Sequence, residues 1–174
     1  MPSGNVIRVN RAPVLTLWAS IVAERLGYPT SAALTFGRAV AGYSAQAKAR
    51  RLGLVEEHEE VETREQPRVP RETVLVLGRR IPVVRTEDGG VRADEHGRAA
   101  SDRSALAYIR RAFGDKLDAV REAMEELAAS YSPEELNRIG FRLYEHFRPD
   151  VPSDVSGWGA KAELSLDRIR NARV

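Results

Sequence analysis

The stretch that decides the fold runs from residue 11 to residue 51 and reads RAPVLTLWASIVAERLGYPTSAALTFGRAVAGYSAQAKARR. In its first half, apolar residues recur at the spacing of a helix: Val14, Leu15, Trp18, Ile21, Val22 and Leu26. Gly27 supplies a stop for this helix. A second helix is predicted to start at Thr30 or Ser31, after a proline, and to end near Gly53. The stretch therefore predicts a helical hairpin.

The second helix of this hairpin is rich in small residues. Ala33, Gly37, Ala41 and Ala45 recur every four positions and so fall along one side of the helix. Such a stripe lets another backbone approach closely, which favours tight helix packing over chemistry. The packing partner is either another part of the chain or a second protein.

Charge is unevenly distributed along the sequence. The first 55 residues carry seven arginines or lysines and a single acid, Glu24, which gives a net charge of +6. Since the whole chain carries +2, the remaining 119 residues carry −4. This division favours an anionic partner for the first part. The alternative is that the basic part docks on the acidic remainder, within one chain or across a dimer.

After the hairpin the sequence changes character twice. Six glutamates crowd into residues 56–70, which predicts an exposed acidic linker. Thr73–Leu77 and Arg80–Arg85 then form β-like runs around a two-residue Gly78-Arg79 turn. Pro82 predicts that the second run is an edge strand. A further turn at residues 88–90 leads to a short third strand around Val91.

The last part of the sequence is again helical. Apolar stripes predict one helix that stops at Gly114 and a second one after it. Ser132, followed by a proline and two glutamates, is a capping box that starts a third helix, which Pro149 ends. The fold class is therefore mostly α with a small β-hairpin or sheet (α+β). We predict a basic helical hairpin over residues 1–55, the linker over 56–70, and a small sheet plus three helices over 71–174.

The corner of the hairpin, residues 22–38, has the pattern of a helix-turn-helix. That motif needs a small residue in the first helix, a turn residue about four positions later, and apolar anchors in the second helix. Ala23 and Gly27 meet the first two needs, and Leu34 with Phe36 meets the third. The segment resembles the second helix-turn-helix of AraC-type transcription regulators. This resemblance implies that residues of a recognition helix contact DNA: Thr30, Ser31, Thr35 and Arg38.

Three cations, Lys48, Arg50 and Arg51, end the second helix. As a functional feature they would contact phosphates and add affinity that depends on salt and not on sequence. Cations at a helix C-terminus also stabilise the helix dipole without any partner, and the sequence leaves both interpretations open.

The composition is that of an ordinary globular protein. Hydrophobic residues make up 43% of the 174 residues and charged residues 30%. The absence of cysteine excludes disulfides and thiolate metal sites. Because there is no signal-peptide pattern and no apolar run of about 20 residues, we expect a soluble cytoplasmic protein with no membrane partner.

Catalytic and metal-binding patterns are lacking in the sequence. His58, His96 and His146 each lie next to a carboxylate, but none shows the spacing of metal ligands. There is no Gly-x-Ser-x-Gly elbow and no glycine-rich phosphate loop. We therefore predict no catalytic residue, no metal and no cofactor.

Two segments further out prompt a second resemblance. Residues 9–18 and residues 147–161, which include Gly157-Trp158-Gly159, are similar to segments in an uncharacterised bacterial protein family. That resemblance implies no residue roles. The two glycines around Trp158 permit a tight backbone path that lays the indole against the core, a twin subunit or a ligand.

The leading hypothesis from the sequence is a non-enzymatic DNA-binding protein, a candidate transcriptional regulator that forms a homo-oligomer, most simply a homodimer. Its nucleic-acid contacts would be Thr30, Ser31, Thr35, Arg38, Lys48, Arg50 and Arg51. The alternative is a structural or protein-interaction protein that oligomerises through the small-residue stripe. A small enzyme is the third possibility.

Overall fold

The computed structural model describes residues 6–51, 72–151 and 162–174, and of residues 45–51 it describes the backbone alone. The predicted acidic linker and the Gly157-Trp158-Gly159 segment lie outside these residues. The helices are α1 (Arg11–Arg25), α2 (Thr30–Arg51), α3 (Asp102–Phe113), α4 (Leu117–Ala128), α5 (Pro133–Phe147) and α6 (Leu166–Asn171). The strands are β1 (Val6–Arg8), β2 (Thr73–Val76), β3 (Arg79–Arg85), β4 (Val91–Glu95), β5 (Arg98–Ala99) and β6 (Glu163–Ser165). The fold is mostly helical, as the sequence predicts, with two small antiparallel sheets.

Helix α1 is the centre of the fold. Every residue from Pro13 to Ala23 is buried, so this helix has no solvent-facing side along most of its length. A helix that is covered all round must satisfy its polar groups internally. The Thr16 hydroxyl donates to the Ala12 carbonyl (2.8 Å) and the Ser20 hydroxyl to the Leu17 carbonyl (2.8 Å), both within the helix.

The small-residue stripe of α2 packs against α1. A Cβ atom at Gly37 would lie 2.2 Å from the backbone oxygen of Thr16 and 3.3 Å from the Ser20 Cβ. Only glycine permits this approach of two helix backbones. The partner that the stripe fits is therefore a helix of the same chain.

The larger sheet is an antiparallel meander in the order β2-β3-β4-β5, and helices α1 and α2 contact it. Its first hairpin turns at Leu77-Gly78, one residue before the predicted Gly78-Arg79. Leu77 (φ +51°) and Gly78 (φ +77°) both have positive φ, which is the conformation of the type I′ turn that joins two twisted strands. The N–H of Leu77 donates to the side chain of Asn137 (2.6 Å), which holds the turn against α5.

Strand β3 is an inner strand, and the prediction that Pro82 marks an edge strand is wrong. The N–H of Val83 donates to the Glu72 carbonyl on the β2 side (2.9 Å), so a donor at the preceding residue would point towards β4. Pairing between β3 and β4 starts only at Val83, opposite Ala93. Pro82 therefore lies in the part of β3 that does not pair with β4, and its missing N–H costs no strand pairing.

The C-terminal helices follow the predicted signals closely. Helix α3 ends at Phe113, before Gly114. The Ser132 hydroxyl accepts a hydrogen bond from the Glu135 N–H (3.2 Å), as a capping box requires. The smaller sheet was not predicted: β1 pairs antiparallel with β6, so that Ile7 lies opposite Leu164 and both are buried.

One hydrophobic core joins the first and last parts of the chain. The Trp18 indole N–H donates to the Gly140 carbonyl (2.9 Å), and the indole meets the Phe147 ring edge to face at 5.4 Å between centroids. Leu77 packs over Gly140 from the sheet side. Residues of the two predicted units, 1–55 and 71–174, thus share this core.

Candidate nucleic-acid interface

The first half of α2 is enclosed by the rest of the protein. Residues 32–37 are six consecutive buried positions, because α1, α3, β3 and β4 all contact this helix. A recognition helix must present the side chains of its first turns to the base edges in the major groove. In this structure the corresponding part of α2 would have to leave the core to do so.

Thr35 belongs to this enclosed segment, and the expectation that it contacts DNA is corrected. Its side chain is 1% exposed. Its hydroxyl donates to the Ala32 carbonyl (2.7 Å) and accepts from the N–H of Ala93 in β4 (3.0 Å). The hydroxyl thereby links α2 to the sheet. It accepts a hydrogen bond from the Ala93 N–H, which does not pair with a neighbouring strand.

We expect Thr35→Val to destabilise the protein by about 1–3 kcal/mol, because the valine preserves the shape but leaves the Ala93 N–H buried without an acceptor. Urea unfolding followed by circular dichroism measures the change. Thr35→Ser keeps the hydroxyl and should lose less stability. Equal stabilities of the valine variant and the wild type would show that the hydroxyl is not needed.

Thr30 and Ser31 lie at the corner between α1 and α2. Thr30 is exposed, and its hydroxyl donates to the Glu24 carboxylate (2.6 Å). The same carboxylate pairs with Arg121 of α4 (2.6 Å). Ser31 is half-buried. A carboxylate therefore stands beside the two residues, and it makes this corner a poorer phosphate contact than the sequence suggests.

The same ion pair borders a cleft of about 290 Å³ between α1 and α4. Its lining residues are Ile21, Glu24, Arg25, Glu125 and Ala128. Both carboxylates pair with Arg121, Glu24 at 2.6 Å and Glu125 at 3.4 Å. The charges of the cleft thus compensate one another within the protein.

Arg38 is exposed where α2 meets α3. Its guanidinium carbon lies 4.4 Å from the centroid of the Tyr108 ring of α3, a cation–π contact. Stacking uses one face of the guanidinium and leaves the N–H donors of its edge available. Burial raises the pKa of Tyr108, and the nearby Arg38 charge lowers it.

Tyr108 was not among the predicted site residues. It follows the helical spacing of α3 and could be recognised from the sequence as a partly buried aromatic residue, but nothing in the sequence indicates which cation would stack on it. Arg111 follows it by three positions, and is exposed on a neighbouring part of the helix surface. The contact between α2 and α3 thus places the Arg38 guanidinium on an aromatic ring from a distant segment.

Lys48, Arg50 and Arg51 belong to the last turns of α2, and their side chains lie outside the described residues. Because α2 runs back along α1 with Gly37 against Thr16, its residue 42 comes roughly level with Arg11 at the start of α1. The following nine residues extend roughly 13 Å further at about 1.5 Å per residue. The backbone of residues 48–51 therefore lies at the end of the helix pair where α1 begins.

In residues 6–51, 72–151 and 162–174, no group of three histidine or acidic side chains could hold a metal ion. His96 lies in the exposed turn between β4 and β5, His146 is exposed on α5, and His58 is outside the described part. No helix in the described part of the chain is long and apolar enough to cross a membrane.

Comparisons with known proteins give no relative for this chain. No protein-family model, no curated protein and no solved structure matches it.

Proposed function

We propose that this protein binds nucleic acid through phosphate contacts on a surface formed by α2 and α3. The contacting residues are Arg38 and, towards the end of α2, Lys48, Arg50 and Arg51. The resemblance to AraC-type regulators implies that a recognition helix docks into the major groove. We propose phosphate contacts on the α2–α3 surface in place of that docking.

The observation that carries the proposal is that Arg38 is exposed and oriented by an aromatic ring. It is exposed and is held by the Tyr108 ring, and no carboxylate among the described residues pairs with it. A guanidinium fixed in this way has lost part of its freedom before binding, while the donors of its fork stay available for a phosphate. Arg111, three positions after Tyr108 on α3, is a further exposed arginine of that helix.

The burial of residues 32–37 decides what kind of binding is expected. Base edges are read by side chains that reach into a groove, whereas phosphate contacts carry no sequence information. Since the first half of α2 is committed to the core, we expect binding with little sequence preference and a strong dependence on salt.

The test is fluorescence anisotropy with a labelled DNA duplex at several salt concentrations. We expect a dissociation constant of about 10⁻⁶–10⁻⁴ M near physiological salt, the range of non-specific binding. Arg38→Ala should weaken binding equally for unrelated duplex sequences and reduce the salt slope by about 1. Arg38→Lys should recover part of the affinity, because the charge is kept but the fork is lost.

Arg138→Ala is the matched control, since Arg138 is an exposed arginine on α5 and its loss changes the net charge equally. It should bind like the wild type. Absence of binding even at low salt would exclude the proposal. Equal losses in the two alanine variants would show that only the net charge matters and not this surface.

A further inference from the structure

Arg38 of α2 and Tyr108 of α3 form a cation–π pair at the surface of the protein. The Arg38 guanidinium carbon lies over the Tyr108 ring, 4.4 Å from its centroid. Tyr108 is half-buried and packs against the hydrophobic core, so the fold sets the position of its ring. Because Arg38 is exposed, the side of its guanidinium away from the ring faces solvent. The pair therefore presents a planar cation, supported by an aromatic ring, to a partner in solution.

The solvent-facing side of α3, the helix that carries Tyr108, is basic. Arg103, Arg110 and Arg111 are exposed, and none of them pairs with a carboxylate of the described residues. The acid of this helix is Asp102, in its first turn. Arg111 follows Tyr108 by three positions, and residues at this spacing are neighbours on a helix surface. The helix that supplies the ring thus also offers cations for the backbone of a bound strand.

Duplex and single-stranded nucleic acids present different groups to such a surface. In a duplex the faces of the bases are covered by their neighbours in the stack. The part of α2 that could reach base edges in a groove, residues 32–37, is buried. In a single strand the base faces are free, and proteins stack them on aromatic rings and on arginine guanidinium planes. An exposed guanidinium backed by a ring therefore favours a single strand.

We infer that the preferred ligand of this surface is single-stranded nucleic acid, an inference that rests on the proposed function and adds the class of nucleic acid to it. One unpaired base stacks on the solvent side of the Arg38 guanidinium, and phosphates of the strand contact the exposed arginines of α3. Arg38 can serve both groups, because its face carries the base while the donors at its edge remain available for a phosphate. Binding should need bases but not a particular base, since every base has a π face.

Three labelled probes of equal length separate the contribution of the bases from that of the phosphates in anisotropy titrations of the full chain. They are a single strand of thymidine nucleotides, an abasic strand with the same sugar-phosphate backbone, and a DNA duplex. The two single strands carry the same charge, so a difference between them reports the bases. We expect the thymidine strand to bind about tenfold tighter than the abasic strand, the effect of one stacked base. It should also bind tighter than the duplex.

Arg38→Lys is the decisive variant, because lysine keeps the charge and loses the planar group. It should remove most of the difference between the thymidine and abasic strands. Tyr108→Leu removes the supporting ring and should reduce this difference severalfold, whereas Tyr108→Phe keeps the ring and the difference. Arg138→Lys makes the same exchange at an exposed arginine of α5 and should leave the difference unchanged. Circular dichroism of each variant confirms the fold.

The outcomes separate this inference from the proposed function. Equal affinities for the thymidine and abasic strands, both lowered by Arg38→Ala, overturn the inference and leave the phosphate contacts standing. A difference between the two strands that Arg38→Lys does not change also overturns it, because the bases are then stacked elsewhere. Tighter binding of the duplex than of the thymidine strand overturns the preference for a single strand. No binding of any probe at low salt excludes the proposed function and this inference together.

Discussion

Replacing Gly37 with alanine is expected to destabilise the protein by about 3 kcal/mol or more, because the new methyl group overlaps a backbone atom. Its carbon would lie 2.2 Å from the backbone oxygen of Thr16 in α1. A side chain could rotate away, but a backbone oxygen in a buried helix cannot. The two central helices would have to separate, and every contact that the core makes with them would loosen. Thermal and urea unfolding measure the loss.

Gly42 of the same helix provides the control. A Cβ atom at Gly42 meets nothing within 4 Å, so Gly42→Ala should stabilise α2 by about 0.5–1 kcal/mol through helix propensity alone. Opposite signs for the two glycine-to-alanine changes are the expected result. If Gly37→Ala is tolerated as well as Gly42→Ala, the two helices are not as close as described.

Truncating Trp18 to alanine is the second change with a large expected effect, about 3–5 kcal/mol. The indole is completely buried and bridges the first helix to α5 through its ring contact with Phe147 and its hydrogen bond to Gly140. Its removal leaves a cavity at the point where the N-terminal and C-terminal parts of the core meet. We expect a lower unfolding midpoint and a protein that is easily digested by proteases.

Trp18→Phe separates the two contributions of this residue. Phenylalanine fills most of the space but leaves the Gly140 carbonyl without its donor, so a smaller loss of about 1–3 kcal/mol is expected. A loss as large as that of the alanine variant would mean that the hydrogen bond, rather than the packing, dominates. No loss in either variant would contradict the shared core.

The elements with local signals could be predicted from the sequence. The starting signal of helix α5 is the serine cap at Ser132, and the stop signal of α3 is Gly114, which follows it. Both can be recognised in the sequence because capping residues lie within a few residues of the helix end that they stabilise. The two N-terminal helices and the strand runs of the β2–β3 hairpin are also local patterns. For these, periodicity and turn chemistry agree with the final structure.

What could not be predicted depends on partners that are distant in sequence. Strands β1 and β6 have three residues each, too few to produce a recognisable pattern, and each forms only because the other is present. The same holds for Leu77, whose left-handed backbone is maintained by its burial over Gly140. A leucine in that conformation is unfavourable by itself, so local rules shift the turn to the next residue.

The candidate nucleic-acid interface also combines features that local sequence signals predict with features that depend on residues distant in sequence. The exposure of Arg38 agrees with a surface contact, whereas Thr35, three residues earlier, is buried and bonds to Ala93 of strand β4, 58 positions later in the sequence. The ion-paired residues Arg11, Asp150 and Arg168 likewise come from three separate segments, and Arg11 and Asp150 are 139 positions apart. No spacing rule can bring such residues together before the fold is known.

The central position of α1 has a consequence for how the protein is made. This helix leaves the ribosome before α5 does, yet Trp18 bonds to a residue 122 positions later. At a synthesis rate of roughly 5–20 residues per second, the helix waits for many seconds before its covering helices exist. Its apolar sides are exposed during that time, apart from the one that α2 can cover. The core around α1 is therefore completed only after α5 has been synthesised, and until then we expect the exposed apolar sides of α1 to be prone to aggregation.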